Sequence, residues 1–501
     1  MRYPSAILAG LLIVAVPCTC LAGSFIDTWI TFIFADDNLL AGPEERSPGP
    51  GFQQVDDEMF FENLETEKRG QETLTQLVLY KRSPAYFSHL DVEAALVIEM
   101  ENWVNNETGE NETVIGDNGS YLKMNYFFSP TGYEGDNLSL TAFPLDAQRF
   151  LLGYAYDITW GGEDIFPGNS GQVPGLRVMG QWGVGSPWQG YAFVGAKTAR
   201  LLNEDIHEMQ TYYGMLGGFG NSITDLVMWE VNGGYFQRGA FPPQGEDSEI
   251  GGKTVEAFGA STRLTFHQGL PIGRSVDLRL YKNDADLARQ MAEPAVYDSG
   301  TAWSTSLEGT YVTQTLLDWD ESDTTVLQPA VAGNINGKFR WGKLRVHGDV
   351  IYRDLSFILF NIPGISPYRA FPEDANIDNE WFVAGGLDYF FERPHLTPGI
   401  IIGYKHPATF ESNDTVTVFR DEDDWETLPK NEAAFDILSA KGTLKWDVAD
   451  IFSVISEVRY TLDNNQTKYE HGDNESGRRR VFEDESVINQ VGFALLLQAR
   501  F

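Results

Sequence analysis

Hydrophobicity that alternates with period two, over runs longer than globular strands use, constrains this chain more than any other feature. Leu90, Val92, Ala94, Leu96, Ile98 and Met100 would share one face of an extended segment, while Asp91, Glu93, Glu99 and Glu101 share the other. Residues 331–341 repeat the pattern, with Val331, Gly333, Ile335, Gly337, Phe339 and Trp341 set against Asn334, Asn336, Lys338 and Arg340. Leu344, Val346, Gly348, Val350 and Tyr352 oppose Arg345, His347, Asp349 and Arg353. Ala440, Gly442, Leu444, Trp446 and Val448 oppose Lys441, Thr443, Lys445 and Asp447, and Val454, Val458 and Tyr460 oppose Glu457, Arg459 and Thr461. Strands of a soluble sandwich alternate too, but they average roughly five or six residues. These runs last about 10–13, and a tilted strand that crosses a bilayer needs roughly 9–11.

The connections alternate as well. From residue 302 onward, strands are expected near 302–314, 327–341, 344–354, 381–391, 397–408, 436–448, 452–463 and 487–501. Trp341-Gly342-Lys343, the stretch around Arg393-Pro394-His395, and Ala449-Asp450-Ile451 read as tight turns. Long polar loops near 315–326, 355–380, 409–435 and 464–486 lie between them. Further strands are expected near 24–35, 73–82, 119–128, 137–143, 151–160, 174–184, 189–200, 209–220, 226–238, 254–267 and 275–282. The reading is all-β: a transmembrane antiparallel up-and-down β-barrel of about 18 strands (range 16–20), with short periplasmic turns and long extracellular loops.

The N-terminus fits export. Arg2 precedes an apolar stretch from Ala6 to Val16, and Cys20-Leu21-Ala22 offers small residues before a cleavage point at Gly23. Residues 1–22 are therefore expected to be a signal peptide and 23–501 a single barrel domain. Pro17 and Thr19, directly before Cys18 and Cys20, argue against lipidation. Both cysteines of the sequence lie in the leader, so the exported chain would hold no disulfide. No later window holds 18 consecutive apolar residues, which excludes helical spans.

The C-terminus ends on Phe501, and Val491, Phe493, Leu495, Leu497 and Ala499 share its face. This resembles the terminal assembly signal of Gram-negative outer-membrane β-barrel proteins, which are porin-like in architecture. The resemblance implies residence in the outer membrane and contact with its lipid. It also implies recognition by the barrel-assembly machinery through Phe493, Leu495, Leu497, Ala499 and Phe501.

Charge on a lipid face costs roughly 2–4 kcal/mol at the bilayer midplane, so charged positions of these strands should face the lumen. That yields the pore-lining candidates Asp91, Glu93, Glu99, Glu101, Asp157, Arg279, Lys338, Arg340, Arg345, Arg353, Lys441, Lys445 and Arg459. Acids early and bases late could make two opposed walls that filter ions. The same groups could instead pair with one another and stiffen the barrel. A formal charge of −36 excludes nucleic acid as a partner. The acidic runs at 36–67 and 421–426 read as solvated loops.

No catalytic site, cofactor or metal site is expected. None of the seven His residues forms HExxH or another close zinc pair. Gly168-Asn169-Ser170-Gly171 follows Pro167 in a polar stretch and reads as a turn rather than a nucleophile site. Two functions remain open. One is a channel for small hydrophilic or charged solutes, or the outer-membrane conduit of a polysaccharide or other secretion system with periplasmic or envelope partners. The other is a loop-plugged structural or binding barrel for envelope anchoring, adhesion or surface assembly; the loop at 36–72, with Phe52, Phe60 and Phe61, could fold inward and occlude the lumen, and its acidity could equally keep it in solvent.

Overall fold

A computed structural model describes residues 26–36, 38–40, 49–50, 75–84, 87–104, 111–117, 119–129, 135–145, 147, 151–155, 158–160, 173–203, 206–243, 250–270, 300–321, 323–359, 368–372, 375–420, 424–449, 451–471 and 478–500. Eighteen strands form the wall once a two-residue edge piece is set aside and one interrupted strand is counted once, out of a 20-stranded sheet. They are β1 (Ile26–Asp36), β2 (Thr75–Pro84), β3 (Leu90–Val104), β4 (Asn111–Asp117 continuing as Tyr121–Phe127), β5 (Asn137–Phe143) and β6 (Gly175–Trp182). Next come β7 (Gly190–Asn203), β8 (Glu208–Thr224), β9 (Val227–Ala240), β10 (Thr254–Gln268), β11 (Thr301–Leu317) and β12 (Thr325–Trp341). The last are β13 (Leu344–Arg353), β14 (Glu380–Tyr389), β15 (Leu396–His406), β16 (Ile437–Ala449), β17 (Phe452–Leu462) and β18 (Asn489–Arg500).

Each strand pairs antiparallel with its sequence neighbour, and β18 closes on β1 through Trp29 opposite Arg500 to Asp36 opposite Phe493. Closure leaves no sheet edge around the ring, which is what a strand needs to cross a lipid core that offers no hydrogen bonds. The barrel reading and the strand number of about 18 hold.

Burial is inverted relative to a soluble protein. Leu96, Leu122, Met124, Ile335, Val383, Ile402 and Leu438 are exposed on the outer face, while Asp91, Glu93, Arg177, Lys197 and Glu380 are buried inside. Outer aromatics form two rows. Trp229, Trp303, Trp341, Tyr389 and Trp446 lie toward the short-turn end, and Tyr213, Tyr311, Trp381, Tyr404 and Tyr460 toward the long-loop end. Trp381 and Tyr389 terminate β14, about 26 Å apart along a strand and about 20 Å in height at the usual tilt, close to the apolar band of such barrels.

Among the described residues, 151–155 and 158–160 form no wall strand where one was expected, and β5 and β6 on either side stop short. Pro144 follows Phe143 and Pro174 precedes Gly175. A residue without an N–H cannot continue a ladder between two neighbours. Just past them, Ala147 N donates to Val173 O at 2.8 Å, and the Ala147 methyl lies 2.6 Å from where a Cβ on Gly175 would sit. The strand expected at 275–282 and most of the loop at 36–72 lie outside the described residues.

Glycines on β8 admit neighbouring rings rather than turns. A Cβ on Gly218 would strike the Phe193 ring and one on Gly220 the Tyr191 ring, both from β7. The long loops are also more structured than their polar composition suggests. A short helix, α1 (Leu355–Leu359), follows β13, and Asn376–Asp378, Ala408–Ser412, Thr415–Phe419 and Trp425–Thr427 form a small antiparallel sheet above the mouth.

Candidate functional site

The wall encloses a lumen, and inward side chains line it. Period two sends alternate residues of every strand inward. Among the sequence candidates, Asp91, Glu93, Arg340, Arg353, Lys441 and Arg459 are buried on that face, and Lys338, Arg345 and Lys445 are half-buried there. Glu99 and Glu101 sit on β3, but their side chains lie outside the described residues, as do Asp157 and Arg279 entirely. Phe493, Leu495, Leu497 and Ala499 occupy alternate positions of β18, where Leu497 pairs with Phe32 and Val454. Phe501 lies outside the described residues.

The inward charges pair with near neighbours rather than forming two opposed walls. Asn125 Nδ2 donates to Glu93 at 2.6 Å and Lys123 Nζ lies 3.5 Å from the same carboxylate. Arg345 Nε meets Asp388 at 2.7 Å. Arg353 grips Glu380 through Nε at 2.7 Å and Nη2 at 3.1 Å, and Lys405 Nζ completes the cluster at 3.0 Å. The amides of Asn334 and Asn336 donate to Asp349. Such local compensation is what permits charge to be buried at all.

Two groups of loop residues pack on the inner wall and at its rim. The first, 151–155 with 158–160, lies inside the barrel against β9, β10 and β11. Leu152 and Trp160 bond each other's backbones at 2.8 Å in both directions. Its amides at Tyr154 and Ala155 donate to the two carboxylate oxygens of Glu308, at 2.7 and 2.8 Å. Asn232 accepts from Gly153 N at 3.2 Å and donates to Gly153 O at 3.4 Å. Trp160 packs edge-on against Phe236 at 5.0 Å, Arg238 lies over its ring at 5.7 Å, and Arg263 lies over Tyr154 at 5.0 Å. Leu152 fills the space that a side chain on Gly259 would take.

The second closure is at the mouth. Leu355, Ser356, Phe357 and Ile358 of α1 are buried, and Leu355 and Ile358 share a core with Ala408 and Phe419 of the cap sheet. Tyr368 reaches back along the rim to β9 and β11, where its hydroxyl donates to Arg238 O at 2.9 Å and its backbone carbonyl accepts from Leu317 N. Arg480 of a third loop joins the cap sheet through Glu426 at 3.3 Å. Asp354 begins α1, accepting from Phe357 N at 2.7 Å and Val331 N at 2.8 Å. Burial outweighs those hydrogen bonds and pushes its carboxyl up to about 6.

Toward the short turns, Ser304, Lys338, Arg345, His347, Thr443 and Lys445 are half-buried, while Ala302, Arg340 and Asp388 at the same end and Asn334, Asp349, Arg353 and Lys441 higher on the wall are buried.

The sequence reading missed Glu230, Asn232, Arg238, Arg263 and Glu308, the groups beneath the inward segment. They stand at inward positions of strands that had been located, and period two carried from Trp229 or Leu307 would have placed them. The inward segment also carried a signal: Leu151 and Leu152 are adjacent apolar residues, which breaks alternation.

No family model matches the sequence, and no curated protein matches it. Among solved structures the chain is similar to Wzi, an outer membrane protein of Escherichia coli involved in group 1 capsule assembly and described as a carbohydrate-binding β-barrel, at 13% identity over 99% of this chain and 88% of that one, with a TM-score of 0.42. It is also similar to OccAB2 of Acinetobacter baumannii, at 7% identity over 96% and 98% of the two chains and a TM-score of 0.45. The outer membrane protein OpdK of Pseudomonas aeruginosa gives 9% identity over 96% and 99%, with a TM-score of 0.41. The chain thus has a structural likeness to Gram-negative outer-membrane β-barrel proteins, at the level of fold.

Proposed function

We propose that this protein is a loop-plugged barrel of the outer membrane, shut at rest, whose ordered outer cap is its contact surface with other envelope or surface components. One observation carries the reading. Inward side chains are buried nearly all the way round, from Asp91 and Asn125 through Ser139, Lys197, Glu230 and Thr310 to Asp349, Glu380 and Ser439. A standing aqueous pore would leave such groups wet. Their pairing favours a stiffening role for Glu93, Arg345 and Arg353 over permeation. Export through a leader at 1–22, a single barrel domain over 23–501 and assembly through the C-terminal strand belong to the same proposal.

Uptake by proteoliposomes tests it. Barrel refolded into vesicles should admit a small neutral sugar no faster than protein-free vesicles do. Rapid swelling with verified folded protein would replace the plugged barrel by an open channel.

A further inference from the structure

We propose that the short turns after β6 and β8 are a lip set in the inner monolayer of the membrane rather than periplasmic loops, with Val184, Trp188, Ile223 and Leu226 in contact with lipid.

Three observations carry it. The first is that these turns hold large apolar groups outward in a bonded backbone. Val184, Trp188, Ile223 and Leu226 are 48%, 64%, 45% and 49% exposed. Ser186 N donates to Gly183 O at 2.9 Å, Ser222 N to Gln189 O at 2.9 Å, and His267 N to Leu226 O at 2.9 Å. Val184 N donates to Asp136 at 3.1 Å. Apolar groups gathered and held in this way mark a surface that meets something other than water.

The second observation is continuity with the lipid-facing wall. Val184 continues the outward face of Leu176 and Val178 on β6, and Ile223 continues that of Met215 and Phe219 on β8. The rings of Trp182, Phe219 and Trp229 form a chain, with centroids 5.7 and 6.3 Å apart. One ladder row runs from Trp229 through Asn221 and Gly190 to Trp182. The other way it passes Leu264 to Leu307 of β11, which stands above Trp303, the aromatic of the lower row on that strand. Rows therefore climb toward later strands and fall toward earlier ones. Three strand spacings at the usual tilt put Trp182 about 9 Å below Trp229. Val184 and Trp188 extend the apolar surface from there.

The third is charge. Gly183 to Gln189 holds no ionisable side chain, and Ser222 to Val227 holds Asp225 alone. Across the ring, the turns after β12 and β14 share an ion pair, Lys343 to Glu392 at 2.9 Å, with the Glu392 side chain 67% exposed. Tryptophan favours the bilayer interface and carboxylates favour water, so the two arcs of the rim suit different media.

Fluorescence quenching on the refolded barrel in vesicles tests the inference, in a chain from which Cys18 and Cys20 are absent. Val184→Cys, Ile223→Cys and Glu392→Cys each carry a bimane label, and heat-modifiable gel mobility verifies folding. One quencher is a phospholipid spin-labelled high on its acyl chain; the other is iodide, present on both sides of the membrane. The ratio of lipid to iodide quenching should be at least about three-fold higher for Val184→Cys and Ile223→Cys than for Glu392→Cys. Equal ratios at the three sites would put the turns in water and overturn the inference. Weak quenching of Val184→Cys and Ile223→Cys by both agents would mean that a second copy of the chain covers the lip, and would overturn it as well.

Discussion

Asp354 is the residue where the outer cap meets the wall, and its position makes the cap sensitive to pH. Its carboxyl is raised from the ordinary value of 3.8 to about 6 by burial. Its contribution to folded stability is therefore fully present below the ordinary value and lost as pH rises through about 6, because the folded state holds the proton more tightly than the unfolded chain. Asp354→Asn cannot ionise. Relative to wild type, the stability of this variant should improve between pH 4 and pH 7 by about 1–2 kcal/mol, after allowance for partial exposure of the group. Parallel denaturation curves of the two proteins across that range measure it, and a constant offset would contradict the assignment. The inward positions of Glu93, Arg345 and Arg353 were legible in the sequence because charge and apolar residues simply alternate there. Those of Glu230 and Arg263 followed from the same alternation, set by Trp229 on one strand and by Leu264 and Phe266 on the other, but nothing in the sequence showed that a loop lies over them.

Among the elements, β18 shows how much strand chemistry is written locally. Leu497 faces lipid between Phe32 of β1 and Val454 of β17, and Phe493 meets Phe34 with ring centroids 5.8 Å apart. Leu497→Arg should cost roughly 2–4 kcal/mol if the position is near midplane, and less toward the interface. Urea titration of the refolded barrel gives the value. Deleting Phe501 should act differently, lowering outer-membrane abundance more than folded stability. A quantitative blot beside heat-modifiable mobility separates the two effects, and normal abundance would contradict an assembly role. The segment 151–160 shows the opposite lesson. It has the length and apolar content of a strand, yet Pro144 and Pro174 end the wall beside it, and its partners are side chains more than 70 residues away in sequence. Turn chemistry is local and readable; docking across a lumen is not.

For the whole molecule, ring closure, inverted burial and paired inner charge describe a barrel that is built to cross a membrane, and the proposal adds that it is filled rather than hollow. The first two follow from period two and strand length. The third depends on how loops fold back, which composition does not encode: the cap sheet and α1 arise from stretches that read only as polar loops. Thiol labelling of serine-to-cysteine variants tests the filled lumen most directly, in a chain from which Cys18 and Cys20 are absent. Ser139 and Ser261 face inward and are buried, and Ser304 faces inward and is half-buried. A small water-soluble maleimide should label Ser304→Cys in the folded barrel and leave Ser139→Cys and Ser261→Cys unlabelled until the protein is denatured. Labelling of all three at similar rates in the folded state would contradict a plugged barrel.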